Sequence, residues 1–556
     1  MLYPASPHQK LILIGLGMAV LLLALGLAAI LALAWHGDGD ILTGIGHRTG
    51  YVLRSAVLQA GLSVLCSVAV AVPAAVALHR TAQWRWSKVM EMVLGLALVI
   101  PTTVAAGGLI AVWGRTGVVA RSCEYIFADA GCGAISIYGL HGVILAHMFF
   151  NVPLLIRIFL PLLEAIPPTQ DRLASLLDLK GFWYFRHVEW PQLKSALPAS
   201  SLLVFLFCFT SFSLVLMLGG GPKVTTMEVE IYAAIRFSFD LAAASGLSLL
   251  QFACAALVVA VIALLNRRQP VASTTERVFA SSTSPRPVRL PSDFTGSSCW
   301  LITMHTVLIV LIVLPVLVVM VRGLDPALFK VIMQPSFLKG LKTSLGIAFG
   351  TSLAVTLLAF LLAGARAGLV TRQEMKASRK SMALILLDGG IMLYLVIPAI
   401  VLGTSAFILL RSAGDIFSTA WIVVVAANTL LALPLAIRIL ETRLTRLFRQ
   451  QDRLASMLGI DGAVRWRLIT LPLLEREIGL VLGLSAALSL GDLGVIALFA
   501  SQDFQTLPWM LYQAAGRYAS DQAAALAFIL LGVTIILLIS GKYTARLFRI
   551  KGSSDA

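Results

Sequence analysis

The sequence predicts an all-α polytopic membrane protein of about 12 transmembrane helices, built as two parallel six-helix repeats. Of its 556 residues, 59% are apolar and only 13% are charged, which is far from the balance of a globular protein. Twelve apolar runs approach or exceed the length of about 20 residues that a helix needs to cross a bilayer. Several short motifs also occur twice, once in each half of the chain.

Six of the apolar runs lie in the first half of the chain and six in the second. They cover residues 11–35, 55–78, 90–113, 140–160, 197–218, 241–265, 301–321, 341–364, 383–410, 418–440, 478–499 and 521–540. The first run follows Lys10 and contains Ala32-Leu33-Ala34, which resembles a signal-peptide cleavage site. Because the run is longer than the apolar core of a signal peptide, we expect an uncleaved first span.

The distribution of positive charge predicts the orientation. Most of the 43 Lys and Arg residues fall in alternate loops, and positively charged loops remain cytoplasmic. Both termini and the long loops 161–197 and 441–477 are then cytoplasmic. Contact with an anionic leaflet accounts for the net charge of +16, so no nucleic-acid partner is predicted.

The repeated motifs define two halves. "DRLASLLDLKG" at 171–181 returns as "DRLASMLGIDG" at 452–462, and the sequence LVIP ends at Pro101 and again at Pro398. An even number of spans per half gives both copies the same orientation in the membrane. We expect a translocation path between the halves.

The domain boundaries follow from composition. Residues 1–265 form the first half and residues 300–556 the second. Residues 266–299 are rich in Ser, Thr, Pro and Arg and predict a cytoplasmic linker.

Each DRLAS copy predicts a short amphipathic helix in its loop. A turn at Gly181 or Gly462 and a return to the membrane before Pro191 or Pro472 should follow. The alternative is an interfacial helix lying on lipid headgroups.

The second loop carries a specific resemblance. Gly459, Ile469, Leu471 and Pro472 fit the pattern G-x9-I-x-L-P, which resembles the coupling loop in permease subunits of binding-protein-dependent ABC importers. The first copy departs from the pattern, with Asp178 in place of the glycine. The Glu-Ala-Ala that usually precedes the pattern is replaced by Arg-Leu-Ala in the second copy.

In that family the loop docks on a separate cytoplasmic ATPase, so two loops imply two ATPase subunits. The residues to which the resemblance gives this role are Asp171, Arg172, Ala174, Asp178, Gly181, Pro191, Asp452, Arg453, Ala455, Gly459, Ile469, Leu471 and Pro472. The sequence contains no G-x-x-x-x-G-K-[ST] phosphate-binding motif. We therefore expect a transport subunit without catalytic residues, metal site or cofactor.

Two further stretches, 216–235 and 489–527, resemble the fused two-half permeases of bacterial thiamine ABC importers. The resemblance implies transport of thiamine or its phosphates from a periplasmic binding protein. The outer loops 219–240 and 500–520 are the segments expected to meet that protein, either as re-entrant or as surface elements. Ferric-iron importers are the alternative, and polyamine importers are more distant.

Three residues are candidates for the gate or the path. Pro101 and Pro398 each remove a backbone hydrogen bond at mid-membrane depth and should kink their helices, as a gate or only through packing. Asp492 lies in an apolar run, where an ionised carboxylate needs a polar path or a partner. It could meet a small cationic substrate, or it could cap a helix beside Gly491 and Gly494.

Other classes of function remain as alternatives. A carrier driven by an ion gradient can also have two six-span halves, but it has no need of two long amphipathic loops. A membrane scaffold explains neither the loops nor the paired prolines. Cys123 and Cys132 share an outer loop, where they could form a disulfide or remain free.

Overall fold

The structure, a computed structural model, describes most of the chain. The described residues are 9–35, 47–115, 117–127, 136–219, 224–265, 298–376, 382–411, 419–460 and 462–545. Within these ranges the chain forms helices, turns and irregular segments and no β-strand, which confirms the all-α prediction. Most of the predicted linker, residues 266–297, lies outside the described residues.

The first half contains twelve α-helices among its described residues. They are α1 Gln9–Trp35, α2 His47–Arg80, α3 Arg85–Ala97, α4 Thr102–Trp113, α5 Val118–Phe127, α6 Leu140–Glu164, α7 Pro168–Leu176, α8 Gly181–Tyr184, α9 Trp190–Phe209, α10 Ser213–Leu218, α11 Met227–Ala233 and α12 Leu241–Leu265. Short π-helical turns, Phe185–Glu189 and Ala234–Ser238, follow α8 and α11.

The second half repeats this order. Its helices are α13 Ser298–Leu308, α14 Leu314–Arg322, α15 Ala327–Ile332, α16 Pro335–Lys376, α17 Met382–Val396, α18 Ala399–Arg411, α19 Ala420–Met457, α20 Gly462–Arg465, α21 Leu471–Leu473, α22 Glu475–Gly491, α23 Gly494–Phe499, α24 Leu507–Gly516 and α25 Ser520–Ala545. Two π-helical turns, Ile309–Val313 and Trp466–Thr470, join α13 to α14 and α20 to α21.

The length and apolar character of the helices are those of a multi-pass membrane protein. In the described part of the chain, ten helices are long and apolar enough to cross a membrane, or eleven if the bent pair α17 and α18 is one crossing. All twelve predicted runs fall on helices. The run at 478–499 is divided between α22, of 17 residues, and the short α23. At 1.5 Å per residue, α22 by itself is shorter than the bilayer core of about 30 Å.

The first span of each half packs on the other half. Helix α1 lies against α16, α17 and α18, all of which belong to the second half. In the reciprocal arrangement, α13 packs on α2 and α14 packs on α4. The two halves are therefore interlocked rather than placed side by side.

Small residues bring these crossed helices into close contact. A Cβ on Gly390 would lie 2.8 Å from the carbonyl oxygen of Ala19. Near this contact, the Tyr394 hydroxyl donates a hydrogen bond of 2.9 Å to the carbonyl oxygen of Leu22. Packing through small residues is a general means of joining helices in lipid, because the hydrophobic effect between them is weak there.

One sequence question concerns the outer loop after α4. Cys123 lies in α5 and is disulfide-bonded. Cys132, the residue with which it could pair in the sequence, lies outside the described residues.

Candidate functional site

The centre of the interface between the halves is a break in the helix that carries Asp492. Helix α22 ends at Gly491, and Asp492 has extended backbone angles of φ −67° and ψ 134°. Its carboxylate Oδ1 accepts a hydrogen bond of 2.9 Å from the Gly494 amide, at the start of α23. Asp492 therefore has the capping arrangement that was one of its two predicted roles.

The two prolines lie around the same break. A Cβ on Gly491 would lie 3.1 Å from the Cβ of Pro101, and a Cβ on Gly494 would lie 3.4 Å from the Cβ of Ala399, which follows Pro398. The structure thus brings the three predicted gate residues into one cluster, to which both halves contribute.

Each proline separates two helices, whereas the sequence predicted a kink within one helix. Helix α3 ends at Ala97 and α4 begins directly after Pro101, which has φ −54° and ψ 138°. Helices α17 and α18 meet at Pro398 with a bend of 97°. Proline lacks the N–H group of a helix interior but suits the start of a helix, so a full break places it favourably.

Polar side chains support the cluster from the second half. The Asn428 amide donates to the Ser489 hydroxyl over 3.0 Å, and that hydroxyl donates to Thr351 over 3.1 Å. These three residues come from α19, α22 and α16 and are all buried. The hydrogen bonds satisfy polar groups that would otherwise be costly to bury.

Sequence reasoning missed a buried acid in the first half. Glu228 is the second residue of α11 and is only 1% exposed, although its loop was expected to be a re-entrant or surface element. The Gln251 amide of α12 donates to Glu228 Oε1 over 3.0 Å. The corresponding outer loop of the second half also contains a short buried helix, α24. The apolar turn around Glu228 was the available signal for burial.

The first coupling loop forms the predicted short helix and turn. Helix α7 buries Ala174, while Leu173, Leu176 and Leu177 are 57%, 83% and 62% exposed. Asp178 ends the helix in the left-handed region with φ 50°. The amide of the next residue bonds back to the Ala174 carbonyl over 2.9 Å. This geometry is a Schellman-type helix end, which satisfies carbonyl groups of the last turn.

The second copy ends in the same type of turn, but its helix is not a separate short one. Its DRLAS segment is the C-terminal part of α19, which runs without interruption from Ala420 to Met457. A separate short helix was predicted here, and that prediction is wrong. The first copy is separated from α6 by Pro167-Pro168, whereas the second half has Phe448-Arg449 and the helix continues.

The helix ends of the two copies correspond residue by residue. Gly459 has φ 66° where Asp178 has φ 50°, and Gly462 has φ 63° where Gly181 has φ 52°. The Ile460 amide bonds to the carbonyl of buried Ala455 over 2.9 Å. The departure from glycine at Asp178 therefore leaves the turn intact, because Asp tolerates the left-handed region better than most residues.

The other predicted loop residues follow the same plan. Leu454, Met457 and Leu458 are exposed like the leucines of the first copy. Pro191 and Pro472 each lie in the first turn of a helix, α9 and α21. The remaining predicted residues are Arg172, which is exposed, and Ile469 and Leu471, which are half-buried. The side chains of Asp452 and Arg453 lie outside the described residues.

A buried ion pair anchors the first loop to the bundle. Arg80 Nε and Nη2 donate to the two carboxylate oxygens of Glu189 over 3.1 and 2.7 Å. Nη2 also donates to the carbonyl oxygen of Gly181 over 3.3 Å. The guanidinium lies 5.9 Å from the ring of Tyr184 and 5.8 Å from that of Trp300, in α13 of the second half. The Tyr184 hydroxyl donates to Asp171 over 2.7 Å, at the start of the coupling helix.

The second loop has a different anchor. Arg465, at the position equivalent to Tyr184, is buried and lies 5.9 Å from the Phe448 ring. Trp466 packs edge-on against Phe360 and Phe448. Aromatic packing thus attaches this loop to α16 and α19.

A bundle of membrane-spanning helices in two interlocked halves, with a cluster of two prolines and an aspartate between them and two matched loops, indicates a membrane permease. No protein-family model matches the chain. The thiamine transport system permease protein of Escherichia coli (strain K12) is 36% identical over 529 residues, which cover 94% of each chain. That of Brucella suis biovar 1 (strain 1330) is 35% identical over 538 residues, or 96% of this chain and 95% of the relative. The chain belongs to the family of thiamine transport system permease proteins.

A more distant relative bears on the alternative substrate. A protein named for ferric transport in Haemophilus influenzae is 27% identical over 174 residues, which are 31% of this chain and 27% of that protein. The similarity to the thiamine permeases is higher and spans nearly the whole length.

Proposed function

We propose that this chain is the membrane permease of an ATP-driven importer that carries thiamine, or its phosphates, from the periplasm to the cytoplasm. The observation that carries this proposal is the likeness to thiamine transport permeases over 94% of the chain. The halves, residues 1–265 and 300–556, would alternate between outward and inward access around the cluster of Pro101, Pro398 and Asp492.

ATP hydrolysis belongs to a separate subunit in this proposal. Two copies of a cytoplasmic ATPase bind the two coupling loops, and a periplasmic binding protein delivers the substrate on the other side. What supports the two-site arrangement is the matched pair of helix ends, each with exposed large apolar side chains. Leu176 is 83% exposed and Met457, its equivalent, is 82% exposed. Exposed apolar side chains grouped in this way are typical of an interaction surface.

The orientation follows from charge. With the loops that hold most of the Lys and Arg residues facing the cytoplasm, both termini are cytoplasmic and the chain lies in the inner membrane. The buried Arg80–Glu189 pair and the ion pair between Arg366 and Asp388, 2.6 Å apart, then lie towards the cytoplasmic ends of their helices.

Uptake into proteoliposomes tests the proposal. The purified chain is reconstituted with its ATPase and binding protein, and labelled thiamine is supplied outside with ATP enclosed. We expect uptake that requires ATP and the binding protein. Uptake driven by a proton gradient without ATPase would instead indicate a secondary carrier. Retention of ferric ion rather than thiamine by the binding protein would favour the iron importer, which the 27% identical relative represents.

A further inference from the structure

Two carboxyl groups without a described counter-cation lie at the interface between the halves. Glu228 from the first half is 1% exposed, and its Oε2 has no hydrogen-bond partner among the described residues. Asp492 from the second half is close enough for its charge to act on Glu228. Within the described part of the chain, neither carboxyl forms an ion pair. Two acids of like charge in a buried membrane site are costly unless a cation joins them.

An aromatic pair connects the two acids. Tyr232 follows Glu228 by one helical turn, so both side chains are on the same face of α11. The Tyr232 ring lies edge-on to Phe212, with centroids 5.4 Å apart. Phe212 in turn comes within 3.9 Å of a Cβ built on Gly494, the residue that caps against Asp492. The order across the interface is therefore acid, ring, ring, acid.

The one basic side chain described on this segment, that of Arg236, interacts with Tyr232 but forms no described ion pair with either acid. Arg236 Nη1 donates to the carbonyl oxygen of Leu498 over 3.4 Å and joins the first half to α23 of the second. Arg236 therefore links the halves, while Oε2 of Glu228 and Oδ2 of Asp492 have no hydrogen-bond partner among the described residues.

We propose that Glu228 and Asp492 form a binding site for an organic cation on the translocation path, with Tyr232 and Phe212 as its aromatic walls. Gln251 positions Glu228 through its hydrogen bond to Oε1 and leaves Oε2 for the ligand. Carboxylates and ring faces both attract a delocalised cation, so an aromatic heterocycle with a fixed positive charge suits the site better than a hydrated metal ion. In this structure the rings of Tyr232 and Phe212 pack together, so the ligand is admitted when the halves separate.

This proposal rests on the proposed function, since thiamine contains a positively charged thiazolium ring. It adds that the permease, as well as the binding protein, recognises the positive charge of the substrate. Because each half supplies one acid, a bound cation would hold the halves together and would favour the closed interface.

Glu228→Gln in the complete importer is the central test. The amide has nearly the same shape and can keep the contact to Gln251, but it cannot carry a negative charge. We expect thiamine uptake to fall by about tenfold, as for loss of one charged contact. The thermal stabilisation of the purified chain by millimolar thiamine should be lost as well. Glu230→Gln is the matched control, because Glu230 is on the same helix but pairs at the surface with Arg48 over 2.7 Å.

A second variant tests the other acid of the proposed site. Asp492→Asn retains an oxygen for the Gly494 cap and should also reduce uptake. If both acids hold one cation, the double variant should lose less than the product of the two single losses. Wild-type rates in Glu228→Gln, with unchanged stabilisation by thiamine, would overturn the proposed site and would mean that the acid is neutral and structural. Absence of ATP-driven thiamine uptake by the wild type would contradict the proposed function instead.

Discussion

Arg80 and Glu189 are the most completely buried ion pair among those described, with side chains 4% and 0% exposed. Two hydrogen bonds between them offset part of the cost of removing both charges from water. The pair joins α2 to the exit of the first coupling loop and so anchors this loop to the bundle. The positions could not be paired from the sequence, because nothing local to either residue identifies the other.

Replacing Arg80 by Met should leave the Glu189 charge buried and alone. We expect the purified chain to be less stable by about 3–5 kcal/mol, as is usual when one partner of a buried pair is removed. The double variant Arg80→Met with Glu189→Met should recover most of the loss, because no charge remains buried. Thermal unfolding in detergent measures both. A double variant less stable than the single one would contradict this account.

At the scale of the element, the helix ends of the two coupling loops are a structural feature that the two halves share. The sequence repeat predicted both ends, and the structure places the left-handed residues at equivalent positions. The sequence-based prediction failed upstream, where α19 continues through its loop. That failure was avoidable, since the proline pair that separates α6 from α7 is absent from the second half.

Gly459→Val tests the second helix end. A β-branched residue at φ 66° is strained by about 1–2 kcal/mol, so the turn should open and the ATPase should bind more weakly. Co-purification with the ATPase measures the effect, and membrane insertion should be unchanged. Asp178→Gly is the matched substitution in the first loop, and it should be tolerated because glycine adopts φ 50° without strain. Normal ATPase binding by Gly459→Val would remove the turn from the coupling role.

The exposed apolar side chains lead to a prediction of how many ATPase subunits bind to each chain. Leu176→Glu and Met457→Glu each place a charge at the centre of one proposed contact. Each single variant should retain about one ATPase per chain and the double variant none, as measured by the mass of the purified complex. Retention of two ATPase subunits by the double variant would show that these surfaces do not bind the ATPase.

At the scale of the whole molecule, the crossed first helices are the feature that the sequence did not reveal. The apolar runs and their repetition predicted the number of spans, but a run of apolar residues does not specify which half it will contact. The same limit applies to Glu228, whose burial depends on α11 packing against α12 from later in the chain. Pro101, Pro398 and Asp492 could be proposed as gate residues from the sequence because proline and aspartate are unusual in an apolar run by themselves.

Substitution of a glycine where α1 crosses α17 tests how much this contact contributes to stability. Gly390→Leu would drive a side chain into the backbone of α1, because a Cβ there would lie only 2.8 Å from the carbonyl oxygen of Ala19. We expect a loss of about 1–3 kcal/mol in stability, or separation of α1 from the bundle. The neighbouring Gly389→Leu is the control, since a Cβ on Gly389 meets no atom within 4 Å. Equal effects of the two variants on thermal unfolding would contradict the crossing.

The crossing of α1 also has a consequence for biogenesis. Helix α1 leaves the ribosome before its packing partners in the second half, which begin at Pro335 and end at Arg411. At roughly 5–20 residues per second, α1 waits on the order of tens of seconds before those partners are synthesised. During that interval its face of small residues is open to lipid or to an insertion factor. Helix α1 thus reaches its final position only after the second half is made, and the membrane insertion machinery must keep it available until then.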